Sequence, residues 1–215
     1  MTLSWKRVTR RLSLGLSFFL LAFLLTACGG IGISLGSSST PTATPTPKTS
    51  TPTPTPTPAI ALTTYTGTGF TIGYPSDWKP QTSGSAVAFQ DAQGLNALTI
   101  ATIPNPEGTQ SADTISTTSL ATLEQTGGVK NPQPVSLSPT TTVGGESWVQ
   151  KGITGTATDN GVAVPGELVL LVDNHPANAP TTLAYEIYYG GPSVTFSVTN
   201  ATIFQAMLQS FKFTS

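Results

Sequence analysis

The chain has one histidine, His175, in Asp173-Asn174-His175-Pro176, with a carboxylate two residues before it. An imidazole beside a carboxylate can relay a proton or start a metal site, but a metal site needs three or four converging ligands. No second histidine exists and the one cysteine, Cys28, is far away, so His175 reads as an exposed loop residue. Serines are plentiful, yet no Gly-x-Ser-x-Gly elbow presents one as a nucleophile. The acids are scattered singly, with no Asp-x-Asp-x-Asp loop for calcium. Glu167 and Glu186 fall on predicted strands and Glu146 just ahead of one, where folding could pair two of them as a glycosidase does, but strand acids ordinarily face water. Gly127-Gly128, Gly144-Gly145 and Gly190-Gly191-Pro192 lack the context of phosphate-binding loops and read as turns. The expectation is no catalytic residue, no metal, no cofactor and no enzymatic activity.

Aromatic residues are the remaining candidates for binding, since a ring can stack on a sugar or anchor a protein partner. Trp78 follows the first predicted strand, Trp148 opens a later one, and Tyr185, Tyr188 and Tyr189 precede a Gly-Gly turn. On an alternating strand Tyr185 and Ile187 share one face, Glu186 and Tyr188 the other. Tyr188 is therefore the ring expected at the surface, with Trp78 and Trp148 as further binding candidates.

The elements that must position these residues follow from periodicity. Phe70, Ile72 and Tyr74 alternate with Thr71 and Gly73, a half-buried strand ended by Pro75. Residues 86–90 and 97–103 make a hairpin around Asp91-Ala92-Gln93-Gly94. Ile115, Leu120 and Leu123 recur near helical spacing, predicting a helix over 112–126 with Asp113 at its positive end. A proline-rich loop follows, then strands over 148–158, 161–173 and 181–189, the first two joined through Asp159-Asn160-Gly161. Asn200 is placed as the N-cap of a closing helix whose stripe is Ile203, Phe204, Met207, Leu208 and Phe211. This order predicts an α+β domain, an antiparallel sheet with helices covering its faces.

Ahead of the domain, Lys6, Arg7, Arg10 and Arg11 precede an uncharged run from Leu12 to Leu25. That is the layout of a signal peptide, and about 14 residues is short of the roughly 20 that span a bilayer. The run ends in Leu25-Thr26-Ala27-Cys28-Gly29, which resembles the lipobox of bacterial lipoproteins. The resemblance implies cleavage after Ala27, lipid on Cys28 and attachment to the extracytoplasmic face of the cell membrane, with two or three acyl chains holding firmly where one does not. Residues 1–27 are thus the expected leader. Residues 28–64, rich in Gly, Ser, Thr and Pro with Thr-Pro repeated from Thr51 to Pro58, are the expected disordered spacer. At about 3.1 Å per residue in polyproline II, residues 41–58 reach roughly 56 Å. Nine basic residues less the four of the leader leave five lysines against ten acids, which argues against a nucleic-acid partner.

Within the expected domain, residues 65–215, Gly69-Phe70-Thr71-Ile72-Gly73-Tyr74-Pro75-Ser76-Asp77-Trp78, then Phe89-Gln90-Asp91 and Asn96-Ala97-Leu98-Thr99-Ile100, resemble the start of PsbP-like domains. Ser210-Phe211-Lys212-Phe213 is similar to that family's ending. The resemblance covers about residues 65–103 and 200–213 and implies an α/β/α sandwich with a non-enzymatic role. A fold of this kind hosts several functions, so the role comes from the site. The leading expectation is protein binding or assembly at the cell envelope with an envelope protein partner; the alternative is capture of a small molecule or glycan. A flat exposed aromatic patch favours the first, a concave apolar pocket the second.

Overall fold

The computed structural model of the chain describes residues 60–126, 129–159 and 162–214. The leader, Cys28, the Thr-Pro repeat and the Gly127-Gly128 and Asn160-Gly161 turns, with the expectations placed on them, lie outside the described residues.

Alternating residues build the first half. β1 (Leu62–Gly67) and β2 (Phe70–Pro75) form a hairpin, and β3 (Lys79–Ser83), β4 (Ala86–Gln90) and β5 (Ala97–Pro104) form a meander. The β4–β5 connection is held by Asp91, whose Oδ1 accepts the Leu95 amide at 2.8 Å and whose Oδ2 accepts Asn96 Nδ2 at 2.7 Å. α1 (Ala112–Thr126) starts at Ser111, whose Oγ accepts the Thr114 amide at 3.1 Å and so satisfies one of the helix's free N–H groups. Then come β6 (Lys130–Pro134), β7 (Thr140–Val143), β8 (Glu146–Asp159), β9 (Val162–His175) and β10 (Leu183–Pro192). Gly144 and Gly145, at φ 60° and 88°, make the tight β7–β8 turn that side-chain-bearing residues adopt only with strain.

Eight strands form one antiparallel sheet in the order β3-β4-β5-β10-β9-β8-β6, with β7 also on β8. The chain closes with α2 (Ser193–Thr199), a π-helical stretch (Asn200–Phe204), α3 (Gln205–Ser210) and β11 (Lys212–Phe213). β11 pairs with β2, giving a second antiparallel sheet, β1-β2-β11.

The period-two pattern of β9 and β10 assigns the two faces of the large sheet. Leu170, Val172 and Ala184 lie on one face under Ile115 and Leu120 of α1. Val169, Leu171, Tyr185, Ile187 and Tyr189 lie on the other, against Phe70, Ile72, Phe196, Phe204, Met207 and Phe211. Burying aliphatic and aromatic side chains of this size stabilises by roughly 1.5–3 kcal/mol each relative to exposure. α3 docks on the small sheet where Gly73 leaves room: its N–H donates to Ser210 Oγ at 2.7 Å, and a Cβ at Gly73 would stand 2.9 Å from Leu62 Cδ1.

The domain is therefore α+β as expected, with four corrections. One outer layer is α1, but the other is half helix and half the small sheet. β1 begins at Leu62, inside the stretch assigned to the spacer, because Leu62 and Tyr65 pack on the core. The proline-rich loop contains two strands, β6 and β7, whose Pro132 and Pro134 sit on a sheet edge where a missing N–H is tolerated. Asn200 is not an N-cap: it is helical, at φ −59° and ψ −51°, because the closing helix already starts at Ser193 behind the extended Pro192. The π turn re-phases that helix so that Phe196 and Phe204 both reach the core.

Candidate functional site

Along one side of α1 runs an open groove of about 430 Å³. Thr117, Leu120, Ala121 and Glu124 share one face of the helix by their spacing of three and four and form one wall. Lys151, Gly152 and Ile153 of β8 lie along the floor, and Pro132 and Pro134 of β6 with Val135 and Leu137 form the far wall. Gly152 keeps the floor low, since a Cβ there would stand 2.8 Å from Leu137 Cδ1. Lys151 is already occupied at the rim: its Nζ lies 2.9 Å from Asp113 Oδ1 and donates to Thr117 Oγ1 at 2.6 Å. What the groove offers is mainly apolar wall with a hydroxyl from Thr117, an amide from Gln150 and the Glu124 carboxylate on the helix side. Its volume falls within the range of small-molecule sites.

Beneath α1 lies a polar cluster that spacing alone does not reveal. Glu186 of β10 is 3% exposed and accepts from Tyr188 Oη at 2.7 Å and from Ser119 Oγ of α1. Burial, then the Glu186 charge and hydrogen bond, pushes the Tyr188 phenol well above its usual range. On the opposite face, burial and the charge of Glu167 push Tyr189 up to about 12, and burial raises Glu167.

A second cluster sits at the ends of β8 and β9. His175 Nδ1 lies 2.8 Å from Glu146 Oε1, and the imidazole stacks on Phe213 with centroids 3.6 Å apart and planes 6° apart. Burial, and then the neighbouring Glu146 carboxyl, raises Asp173 to about 7, opposed by the Asn174 backbone.

These placements correct several expectations. Tyr188 is on the face away from the aromatic core, but α1 roofs that face and its hydroxyl is spent on Glu186. Trp78 and Trp148 are core residues, 4% and 0% exposed; Trp78 meets Phe204 edge-on, and Trp148 donates its indole N–H to Val143 O at 3.0 Å. None of the three offers a free ring for binding. Glu146, Glu167 and Glu186 go to three different environments and form no carboxylate pair with one another. His175, at the end of β9, meets the Glu146 carboxyl and stacks on Phe213 instead of standing in a free loop. Ser119 and the groove were missed; the four-residue spacing from Thr117 to Ala121 was a signal for a helix face, but not for what stands opposite it.

Among the described residues no helix is long and apolar enough to cross a membrane, and no group of three or more His, Cys, Asp or Glu is arranged to hold a metal ion. No protein-family model matches the chain. No curated protein matches its sequence. Among solved structures, it is similar to a protein from Bacteroides thetaiotaomicron at 13% identity and a TM-score of 0.42, over 68% of this chain and 46% of that one. The chain therefore spans about half the length of that protein. It is also similar to LpqN of Mycobacterium tuberculosis, described as involved in cell envelope biogenesis, at 14% identity and a TM-score of 0.42, over 68% of this chain and 83% of LpqN. At this level of likeness, function has to be read from the chain's own residues.

Proposed function

We propose that the chain is a lipoprotein held by lipid on Cys28 at the extracytoplasmic face of the cell membrane, with a non-catalytic domain that captures a small apolar ligand in the groove beside α1. The groove carries this reading: it is concave, mostly apolar and of ligand size, and its one lysine is neutralised by Asp113. The placement of the acids and the histidine supports a non-enzymatic role, because Glu186 is engaged under α1, Glu146, Asp173 and His175 cluster at the ends of β8 and β9 away from the groove, and Glu124 is the one carboxylate among the groove's described lining. Layering of α1, the large sheet and the mixed outer layer supports a PsbP-like sandwich as the finer description of the fold.

A second reading, docking of an envelope protein in an assembly role, is favoured by Val194 and Val198. They lie four residues apart on α2 and are 88% and 66% exposed, an apolar ridge that no described residue covers. The two readings separate by mutation. Ala121 is exposed on α1 and lines the groove, so Ala121→Trp fills it without entering the core. With the neutral fluorophore N-phenylnaphthylamine as probe, the full chain is expected to bind and Ala121→Trp to bind at least about tenfold more weakly. Equal binding by both proteins would show that the groove is not the binding site.

A further inference from the structure

We propose that Asp173, Glu146 and His175 form a proton-dependent clasp that seats the C-terminal strand β11 against the large sheet and loosens as the shared proton is lost. Asp173 Oδ2 is buried and finds no donor among the described residues. The group beside it is the Glu146 carboxyl, which when ionised can only accept. Two acceptors that face each other are satisfied only when one proton lies between them. Glu146 in turn meets the His175 imidazole at 2.8 Å, so the three side chains make one chain of contacts from the sheet interior to its rim.

That chain ends on β11. The His175 ring stacks on Phe213, and Phe213 also packs edge-on against Tyr185, with centroids 5.1 Å apart. Besides its pairing with β2, the strand has a nearby tie in the Thr214 amide, which donates to Gly69 O at 3.0 Å. Phe213 also packs against Phe211 and Trp148, so the His175 stack is one of several ring contacts that seat this short strand, and the one that ends on a titratable cluster.

Among the described residues the titratable and charged groups around the clasp are few. They are Glu146 on β8, Asp173 and His175 on β9, the buried Tyr185 phenol on β10, and Lys212, which neighbours Phe213 on β11 and is exposed. Lys151, the lysine of β8, is paired with Asp113 instead. When the proton leaves to water, two carboxylates face each other with like charge. Glu146, 39% exposed at its side chain, is the one free to swing outward, and it takes its contact with His175 along.

The sign of the effect follows from Asp173. Closed, it holds its proton up to about pH 7; exposed, it releases it near its usual 3.8. Closure is therefore fully supported below pH 4, loses support as pH rises toward 7, and levels off above that.

The test is amide hydrogen exchange on the full chain from pH 5 to 8, with rates divided by the intrinsic base-catalysed rate. Protection at Thr214, whose amide donates to Gly69 O on the neighbouring strand, is expected to fall by up to about tenfold per pH unit until pH 7, while β9 and β10 stay protected. Asp173→Asn, and separately Glu146→Gln, supply an amide donor to the remaining carboxylate and are each expected to flatten the profile. Constant wild-type protection across this range would overturn the clasp. So would parallel loss over the whole domain, or an unchanged slope in the variants.

Discussion

Tyr188→Phe isolates one hydrogen bond to a buried charge. The substitution keeps the ring under α1 and removes only the hydroxyl that donates to Glu186 Oε2 at 2.7 Å. Glu186 is 3% exposed, so water cannot replace the donor, and Ser119 is left as the remaining side-chain donor. Leaving a buried acceptor short of a partner costs about 1–3 kcal/mol, with charged groups toward the upper end. We expect about 2 kcal/mol, a large share of a domain's usual 5–15 kcal/mol. The readout is equilibrium urea unfolding followed by tryptophan fluorescence, since Trp78 and Trp148 are both buried; the midpoint should drop with the slope unchanged. Replacing the whole cluster by Ser119→Ala, Glu186→Leu and Tyr188→Phe removes the charge with its donors. That triple variant should be less destabilised than the sum of its single changes by more than about 1 kcal/mol. A Tyr188→Phe cost below about 0.5 kcal/mol, or simple additivity, would refute the role given to Glu186.

Two further predictions concern the core and the address. Trp148→Ala removes a ring that packs edge-on against Phe211 and parallel to Phe213, and should cost about 3–5 kcal/mol by thermal or urea unfolding. Cys28→Ala should move the protein from the membrane to the soluble fraction and abolish acyl labelling, because the anchor of the proposed lipoprotein is the lipid on that side chain.

Much of the α+β framework was legible in the sequence, and the reasons are local. The helix over 112–126, the strand 70–75 and the hairpin around Asp91 carry their own periodicity, capping and turn residues. What was not legible depends on partners distant in the chain. The alternation of Tyr185 to Tyr188 separates the faces correctly, but whether a face meets water depends on where α1 lands. Local alternation holds no trace of that. β11 has two residues and exists as a strand only because Phe70 and Thr71 are there to pair with it. The Asp173 and Glu146 contact joins side chains from two strands, and Asp173-Asn174-His175 shows half of it. The groove was invisible for the same reason: Ala121, Gly152 and Leu137 are unremarkable singly and make a cavity only together.

The groove beside α1 is proposed to hold a small apolar ligand. The most direct measurement is mass spectrometry of small molecules extracted from the full chain after mild purification from its native membrane, in parallel with Ala121→Trp. A stoichiometric apolar molecule is expected with the parent protein and is lost from the variant. Recovery of no such molecule, or equal recovery from both proteins, would contradict it.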